Sequence, residues 1–377
     1  MRPLCLLSIA ILSCQPAIAQ DKAPLKEGLA TFHIGNSLTN TTGKFADFAR
    51  TAGIAHKYQS FTAGGALTWQ LWDSLTKRQK EWDTRLAGYK RIDHFTVQPR
   101  DFTKNSVDHE ADYVIRFFEV IRKHSPEMQP WFYSEWVEKG RGRPTDKGLI
   151  PSRQMKQTNP ALTWEESMAA MLLYNEDLQA KVVETYKEGK RPRVLPSCLA
   201  MGWIKNMIDH DKLPGAAKDS FYPLLFSDGV HPNVKGGYLV DLTWYAAFYR
   251  ESPEDKVLPT GTGLTPEQAK VMQKLAWDVV KNYPDCGLYE EGTTPVSAVG
   301  FVPEESPAGK AELVTLTAKT PGAWFRYTLD GTIPTRTRGY VYCGAISVPA
   351  GATLKAIGYK SGMADSAVAE MANPLKK

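Results

Sequence analysis

Cysteine is scarce in this chain. Only five occur in 377 residues, and no two of them have a C-x-x-C spacing. Cys5 and Cys14 lie in the N-terminal segment considered below, which leaves Cys198, Cys286 and Cys343. Three is an odd number without metal-ligand spacing, so the sequence predicts neither a zinc site nor a disulfide framework. A single bridge remains open for an exported protein, but its pairing cannot be read from the sequence.

Several other features are also missing. Beyond the first 20 residues, no apolar run is long enough to span a bilayer. The formal net charge is only +5, and no concentrated basic stripe is interleaved with aromatic residues, so we expect no nucleic-acid partner. The seven histidines show no H-x-H or H-E-x-x-H spacing, so we predict no metal site and no cofactor. The remaining composition is that of a globular protein, with room for two domains.

The apolar run at the N-terminus has a separate interpretation. Arg2 precedes an apolar stretch at residues 4–12, and Ala17 and Ala19 form an A-x-A cleavage pattern before Gln20. This arrangement is typical of a secretory signal peptide, here residues 1–19, and it predicts a secreted or periplasmic protein. A lipoprotein site at Cys14 is the minor alternative.

Predicted strands and helices alternate over residues 20–290. Short apolar segments at 29–34, 58–62, 92–98, 131–136 and 194–196 predict strands. Helical periodicity follows Phe45 and recurs at 69–75, 112–123, 165–187, 239–249 and 266–283, and the last of these begins with Thr265 as an N-cap before Pro266. Alternation of this kind indicates an α/β domain with a parallel sheet covered by helices on both faces. Sites in such domains lie at the carboxyl ends of the strands.

The pattern changes near residue 290. Over residues 296–372, short strands (311–316, 324–328, 345–348 and 354–359) alternate with turns such as Asp330-Gly331, and no helical period is visible. This region therefore predicts a small antiparallel β-sandwich, joined to the first domain by a linker at 290–295.

Three residues suggest a catalytic group. Ser37 follows the first predicted strand, and Asp228 stands three residues before His231 in a late loop. A serine hydroxyl needs a base within hydrogen-bond reach, and the base needs an orienting partner, which an aspartate this close to the histidine can provide. Taken singly, Ser37 could be a helix cap and the Asp–His pair a structural hydrogen bond. Their order and their positions at opposite ends of the domain favour catalysis.

These residues lie in segments that resemble a known family. Residues 35–39 (GNSLT) are similar to block I of the SGNH (GDSL-like) hydrolases, and residues 228–232 (DGVHP) are similar to their block V. The resemblance extends over residues 29–250 and implies a three-layer α/β/α, flavodoxin-like domain with a parallel sheet. It also implies that Ser37 is the nucleophile, with His231 as base and Asp228 as its partner.

The resemblance also implies an oxyanion hole. Its donors would be the backbone N–H groups of Ser37 and of a glycine after the second strand, for which we choose Gly65 over Gly64. Block III of the family supplies an Asn as the third donor, but this sequence has VQPRD at residues 97–101. We therefore predict Gln98 as the third donor, with Arg100 second. A buried amide that ties loops together is an equally good interpretation of Gln98.

The tail resembles the chitobiase/β-hexosaminidase C-terminal, Fn3-like domain of secreted glycan enzymes, through residues 325–335 and 354–357. Because such a domain accompanies glycan enzymes, we expect the substrate to be an acetylated polysaccharide or oligosaccharide. The expected activity is therefore that of a carbohydrate O-acetylesterase. Asn36, Trp69 and Trp136 are candidate substrate-binding residues, although core packing also explains the two tryptophans. The alternatives are a lipid or thioester hydrolase, and a non-catalytic carbohydrate-binding protein on the same scaffold.

Overall fold

A computed structural model describes residues 25–42, 44–100, 105–140, 163–256, 258–304, 311–349 and 351–372. The predicted signal peptide at 1–19, and with it Cys5 and Cys14, lies outside the described residues. Within the described ranges, none of the helices combines the length and the apolar character needed to cross a bilayer. The three cysteines in these ranges are buried and free.

The first domain is built on a five-stranded sheet in which every pairing is parallel. The strands are β1 (Lys26–Gly35), β2 (Ile54–Thr62), β3 (His94–Val97), β4 (Gln129–Tyr133) and β5 (Arg193–Leu195). Their spatial order is β2-β1-β3-β4-β5, which is the flavodoxin-like arrangement. The predicted α/β class and sheet type are confirmed.

Helices cover both faces of this sheet. They are α1 (Phe45–Thr51), α2 (Thr68–Lys77), α3 (Gln79–Ala87), α4 (Val107–His124), α5 (Trp164–Thr185), α6 (Ser197–Asp209), α7 (Phe221–Leu225), α8 (Val234–Tyr249) and α9 (Pro266–Asn282). Successive side chains of a strand point to opposite faces. Phe32 accordingly packs edge-on against Trp82 of α3 at 5.1 Å between ring centroids, while His33 packs against Trp244 of α8 at 4.7 Å. Both faces are therefore interior, giving the three layers.

The N-cap residue of α8, Asn233, holds the C-terminal end of the preceding loop in place. Asn233 caps the helix, with its side-chain oxygen accepting hydrogen bonds from the backbone N–H groups of Lys235 (2.9 Å) and Gly236 (3.2 Å). Its amide nitrogen donates to the Leu224 carbonyl at 3.0 Å. Since one side chain ties the helix to the chain before the loop, residues 225–233 have a defined path.

The second domain is all β. Its strands are β6 (Glu291–Pro295), β7 (Gly300–Glu304), β8 (Ala311–Thr317), β9 (Trp324–Thr328), β10 (Tyr340–Val341), β11 (Ile346–Pro349), β12 (Thr353–Tyr359), β13 (Met363–Ala364) and β14 (Ala369–Ala372). One antiparallel sheet has the order β10-β9-β12-β14 and another the order β11-β8-β7, with β6 and β13 forming a small parallel pair. This is the β-sandwich that the sequence predicts.

A buried ion pair joins the two domains. Arg326 of β9 is fully buried, and its guanidinium contacts both carboxylate oxygens of Glu176 on α5, at 2.6 and 2.9 Å. Tyr283 donates a further hydrogen bond to Glu176 at 2.7 Å. Beside this pair, Trp203 of α6 meets Trp324 of β9 edge-on at 5.0 Å. The sandwich is thus packed on α5 and α6 through buried contacts.

Candidate active site

The structure brings Ser37, His231 and Asp228 together in one hydrogen-bonded chain. Nε2 of His231 lies 2.9 Å from the Ser37 hydroxyl oxygen, and its Nδ1 lies 2.7 Å from Oδ2 of Asp228. Ser37 stands in the turn directly after β1, and the other two stand in the loop between α7 and α8. The serine hydroxyl can therefore pass its proton to Nε2 while the carboxylate holds the other ring nitrogen.

Asp228 also organises the loop that carries the histidine. Its Oδ1 accepts hydrogen bonds from the backbone N–H groups of His231 and Val230, each at 2.7 Å. The Ser227 N–H closes the loop onto the His231 carbonyl at 2.8 Å. The two backbone donors, followed by the imidazole, lower the pKa of Asp228 to about 2. The carboxylate is thus ionised over the whole pH range in which an ester hydrolase works.

Trp136 contacts the loop that carries Asp228 and His231. It is 1% exposed, and its indole N–H donates to the Val230 carbonyl at 2.7 Å. This burial argues against the predicted contact with substrate, because a side chain so covered cannot line an open site. Trp69, the other predicted tryptophan, is half-buried on α2, and its role stays a prediction.

A second buried network holds the turn that carries the serine. Gln98 is 2% exposed and accepts hydrogen bonds from the Asn36 backbone N–H (3.2 Å) and the Thr39 hydroxyl. Its amide nitrogen donates to Oδ1 of Asn36 (2.9 Å) and to the carboxylate of Glu135. Both amide hydrogens of Gln98 are thereby used within the protein, which argues against its predicted role as an oxyanion donor.

Asn36 belongs to this network as well. It is 1% exposed, its side-chain nitrogen donates to Glu135 at 3.2 Å, and its side-chain oxygen accepts from the Leu38 N–H at 2.8 Å. Asn36 therefore shapes the turn around Ser37 and has no surface for the substrate contact that we predicted. Gly35 fits the same packing, because a Cβ there would lie 2.5 Å from Oε1 of Gln98.

Sequence reasoning missed Glu135. This carboxylate lies just beyond β4, is 3% exposed, and accepts hydrogen bonds from both Asn36 and Gln98. The available signal was its position at the carboxyl end of a central strand, where polar side chains of α/β domains converge. Its two partners could not be read from the sequence, since they lie 99 and 37 positions away.

The remaining predicted donor, Gly65, lies on the loop after β2. Its φ of +65° is in the left-handed region, which suits glycine. A Cβ placed on Gly65 would lie 4.0 Å from Nη1 of Arg100, so the guanidinium of Arg100 reaches this loop from the end of β3. Across the described part of the chain, Arg100 forms no ion pair. Arg100, our second choice for the third donor, thus stands beside Gly65.

The other histidines have separate surroundings. His33, His56 and His94 lie on the sheet face under α8, where hydrogen bonds and ring contacts hold them. Within the ranges that the structure describes, no group of three or more His, Cys, Asp or Glu side chains is placed to hold a metal ion.

Comparison with known proteins gives two kinds of match. Three solved structures are each similar to somewhat more than half of this chain. One, from Slackia heliotrinireducens, is described as an SGNH hydrolase (17% identity, 57% of this chain and 95% of that chain, TM-score 0.35). Another, from Parabacteroides merdae, is described as a GDSL-like lipase (12% identity, 60% of this chain and 98% of that chain, TM-score 0.36). The third is TesA (8% identity, 56% of this chain and 93% of that chain, TM-score 0.31). Similarity this low does not transfer an activity from one chain to another.

No curated protein matches the chain. Residues 306–370 match the family of the chitobiase/beta-hexosaminidase C-terminal domain. The match covers most of the β-sandwich and none of the triad, so the chemistry has to be argued from the site itself.

Proposed function

We propose that this protein is a serine hydrolase that cleaves carboxylic esters through an acyl-enzyme on Ser37. The observation that supports the proposal is the continuous chain from the Ser37 hydroxyl through His231 to Asp228, with 2.9 and 2.7 Å between the joined atoms. Nucleophile, base and orienting carboxylate are the three parts that this chemistry requires.

The residues act in sequence. His231 takes the Ser37 proton as the serine oxygen attacks the ester carbonyl, and it then returns that proton to the leaving alcohol. A water molecule, deprotonated by His231, attacks the acyl-enzyme, and the proton passes back to Ser37 as the acid departs. Asp228 stays ionised throughout and stabilises the imidazolium that forms twice in each cycle.

Three groups are proposed to stabilise the tetrahedral oxyanion. Two are the backbone N–H groups of Ser37 and Gly65. For the third we replace Gln98, whose amide hydrogens are engaged, by Arg100, whose guanidinium reaches the Gly65 loop. A cation beside the developing negative charge stabilises it, as a neutral hydrogen-bond donor does.

The proposed substrate is an acetylated polysaccharide or oligosaccharide, and the reaction releases acetate. The support is the C-terminal match to a domain named after two glycan-degrading enzymes. We also propose that the protein is exported after cleavage behind Ala19. Export places the enzyme where polysaccharides occur, and the mass of the mature chain should correspond to Gln20 as its first residue.

Acetate release tests the proposal. The mature protein should release acetate from p-nitrophenyl acetate and from acetylated xylan, and Ser37→Ala should lose activity by about 10⁴-fold or more, as expected for a nucleophile. Ser252→Ala, just after the C-terminal end of α8 and outside both the triad and its loop, is the matched control and should stay active. Equal inertness of the wild type and Ser37→Ala on a broad panel of esters would contradict the proposal.

A further inference from the structure

A cavity of about 610 Å³ lies beside the catalytic loop. Its walls come from the turn after Ser37, from α1, from the first two turns of α8 and from residues 259–262. Ser227 and Pro232, which flank the catalytic Asp and His, also line it. The volume is within the range of roughly 300–1,000 Å³ that is usual for small-molecule sites.

One buried side chain in this cavity has an unused polar atom. Asp241 of α8 is 7% exposed, and its Oδ1 has no hydrogen-bond partner among the described residues. Burial raises the pKa of Asp241 well above its ordinary value, although Lys44 at the rim acts in the opposite direction. A buried polar group without a partner costs stability.

The surroundings of Asp241 define the chemistry of a ligand. A protonated carboxyl both donates and accepts a hydrogen bond, which suits a hydroxyl group. Thr41 and Ser227 add further hydroxyls, and the rings of Phe48 and Tyr238 form an apolar wall. Lys44 disfavours a cationic ligand and Asp47 an anionic one, since both charged side chains also line the cavity.

We propose that this cavity binds an uncharged sugar ring of the polysaccharide substrate, with Asp241 as the buried group that hydrogen-bonds its hydroxyls. The inference rests on the proposed function for the identity of the substrate. Pro232 is the neighbour of His231, and Thr41 is four positions beyond Ser37, so the cavity borders both segments that carry the proposed base and nucleophile. The cavity would thus distinguish a polysaccharide ester from a small one.

Two variants test the cavity from different sides. Asp241→Leu removes the carboxyl at similar volume. Gly237→Leu fills the space from α8, where a Cβ has ordinary room at 3.8 Å from the Thr41 carbonyl. Replacing a helical glycine also favours folding, so Gly237→Leu decides the test if Asp241→Leu does not fold. Lys270→Leu, at an exposed position of α9, is the matched control.

The readout is kcat/KM for acetylated xylo-oligosaccharide divided by kcat/KM for p-nitrophenyl acetate, which is too small to fill both sites. We expect this ratio to fall about tenfold or more in both variants, the change produced by losing roughly 1.4 kcal/mol of binding. The control should keep the wild-type ratio. An unchanged ratio in Gly237→Leu overturns the proposal.

A binding experiment separates this proposal from the esterase proposal. Calorimetry with Ser37→Ala uses neutral oligomers of xylose, mannose and glucose, and oligomers of glucosamine. Binding of a neutral oligomer that is lost in Ser37→Ala/Gly237→Leu supports the sugar site even if no ester is ever turned over. Failure to bind any neutral oligomer, or a preference for the cationic glucosamine oligomers, overturns it.

Discussion

At the scale of single residues, the proposed use of Arg100 in place of Gln98 as the third oxyanion donor can be tested directly. Arg100 reaches the Gly65 loop, while Gln98 is locked in a buried network. We expect Arg100→Met to lower kcat by about 10²–10³-fold, the cost of one oxyanion donor, with little change in KM. Arg100→Lys should recover part of the loss. A variant with wild-type kcat would remove Arg100 from the mechanism.

Glu135 is a second residue whose role can be measured. Its carboxylate holds Asn36 and Gln98, and through them the turn that carries Ser37. Glu135→Gln presents amide hydrogens to groups that are themselves donors, so we expect a loss of about 1–3 kcal/mol in the free energy of unfolding. We also expect kcat to fall while KM stays close to that of the wild type. If stability falls and kcat is unchanged, Glu135 supports the fold alone.

The sequence indicated the proposed catalytic residues better than it indicated the residues that hold them in place. Ser37, Asp228 and His231 could be found because a strand end and a short D-x-x-H spacing are local features. For Gln98 and Trp136 the sequence offered a buried role only as one of two interpretations, and for Asn36 it offered none, because each role depends on partners 37 to 99 positions distant. At these positions the sequence shows polar or aromatic residues, but it does not show which of their atoms form hydrogen bonds within the protein.

At the scale of elements, one face of the sheet is polar in an unusual way. His33, His56 and His94 lie between β1–β3 and α8, where burial lowers the pKa of His56 to about 4 and that of His94 to about 3. The unfolded chain takes up these protons near pH 6.5, so it binds more protons than the folded chain between pH 6.5 and 4. Stability should therefore fall as the pH drops through this window.

The contribution of His56 can be isolated. Its shift corresponds to roughly 3 kcal/mol, on the basis of about 1.4 kcal/mol for each pKa unit. We expect His56→Gln to lose less stability than the wild type between pH 6.5 and 4, by up to that amount, in urea denaturation at each pH. His109→Gln, at an exposed position, should follow the wild type. Parallel curves for wild type and His56→Gln would contradict the prediction.

Three helices, α3, α6 and α7, escaped the sequence analysis, and α7 has only five residues, too few to show a period. In α3 only Trp82 and Leu86 are buried, which is too few apolar positions to show a period. In α6 the central Gly202 obscures the pattern, because glycine is unfavourable inside a helix. The structure explains this glycine, since a Cβ there would lie 3.3 Å from Cβ of Cys343 in the second domain. The close contact between the two domains therefore favours glycine at position 202. This contact cannot be predicted from the residues near position 202 in the sequence.

At the scale of the whole molecule, the Glu176–Arg326 pair links the stability of the two domains. Glu176→Gln leaves the fully buried guanidinium without a counter-charge, and we expect it to cost about 3–5 kcal/mol of unfolding free energy. The double variant Glu176→Gln/Arg326→Met removes the charge as well and should be much closer to the wild type. Additive losses in the double variant would show that the pair is not coupled.

The arrangement of the catalytic loop also has an evolutionary consequence. Asp228 and His231 are three positions apart, and the contacts that hold them to each other lie within one short segment. They are inherited together, and no recombination outside the loop can separate them. The serine, 194 positions from the histidine, depends instead on the whole intervening domain. A change anywhere in that domain can therefore displace the serine from the histidine, while the loop alone keeps the aspartate and the histidine paired.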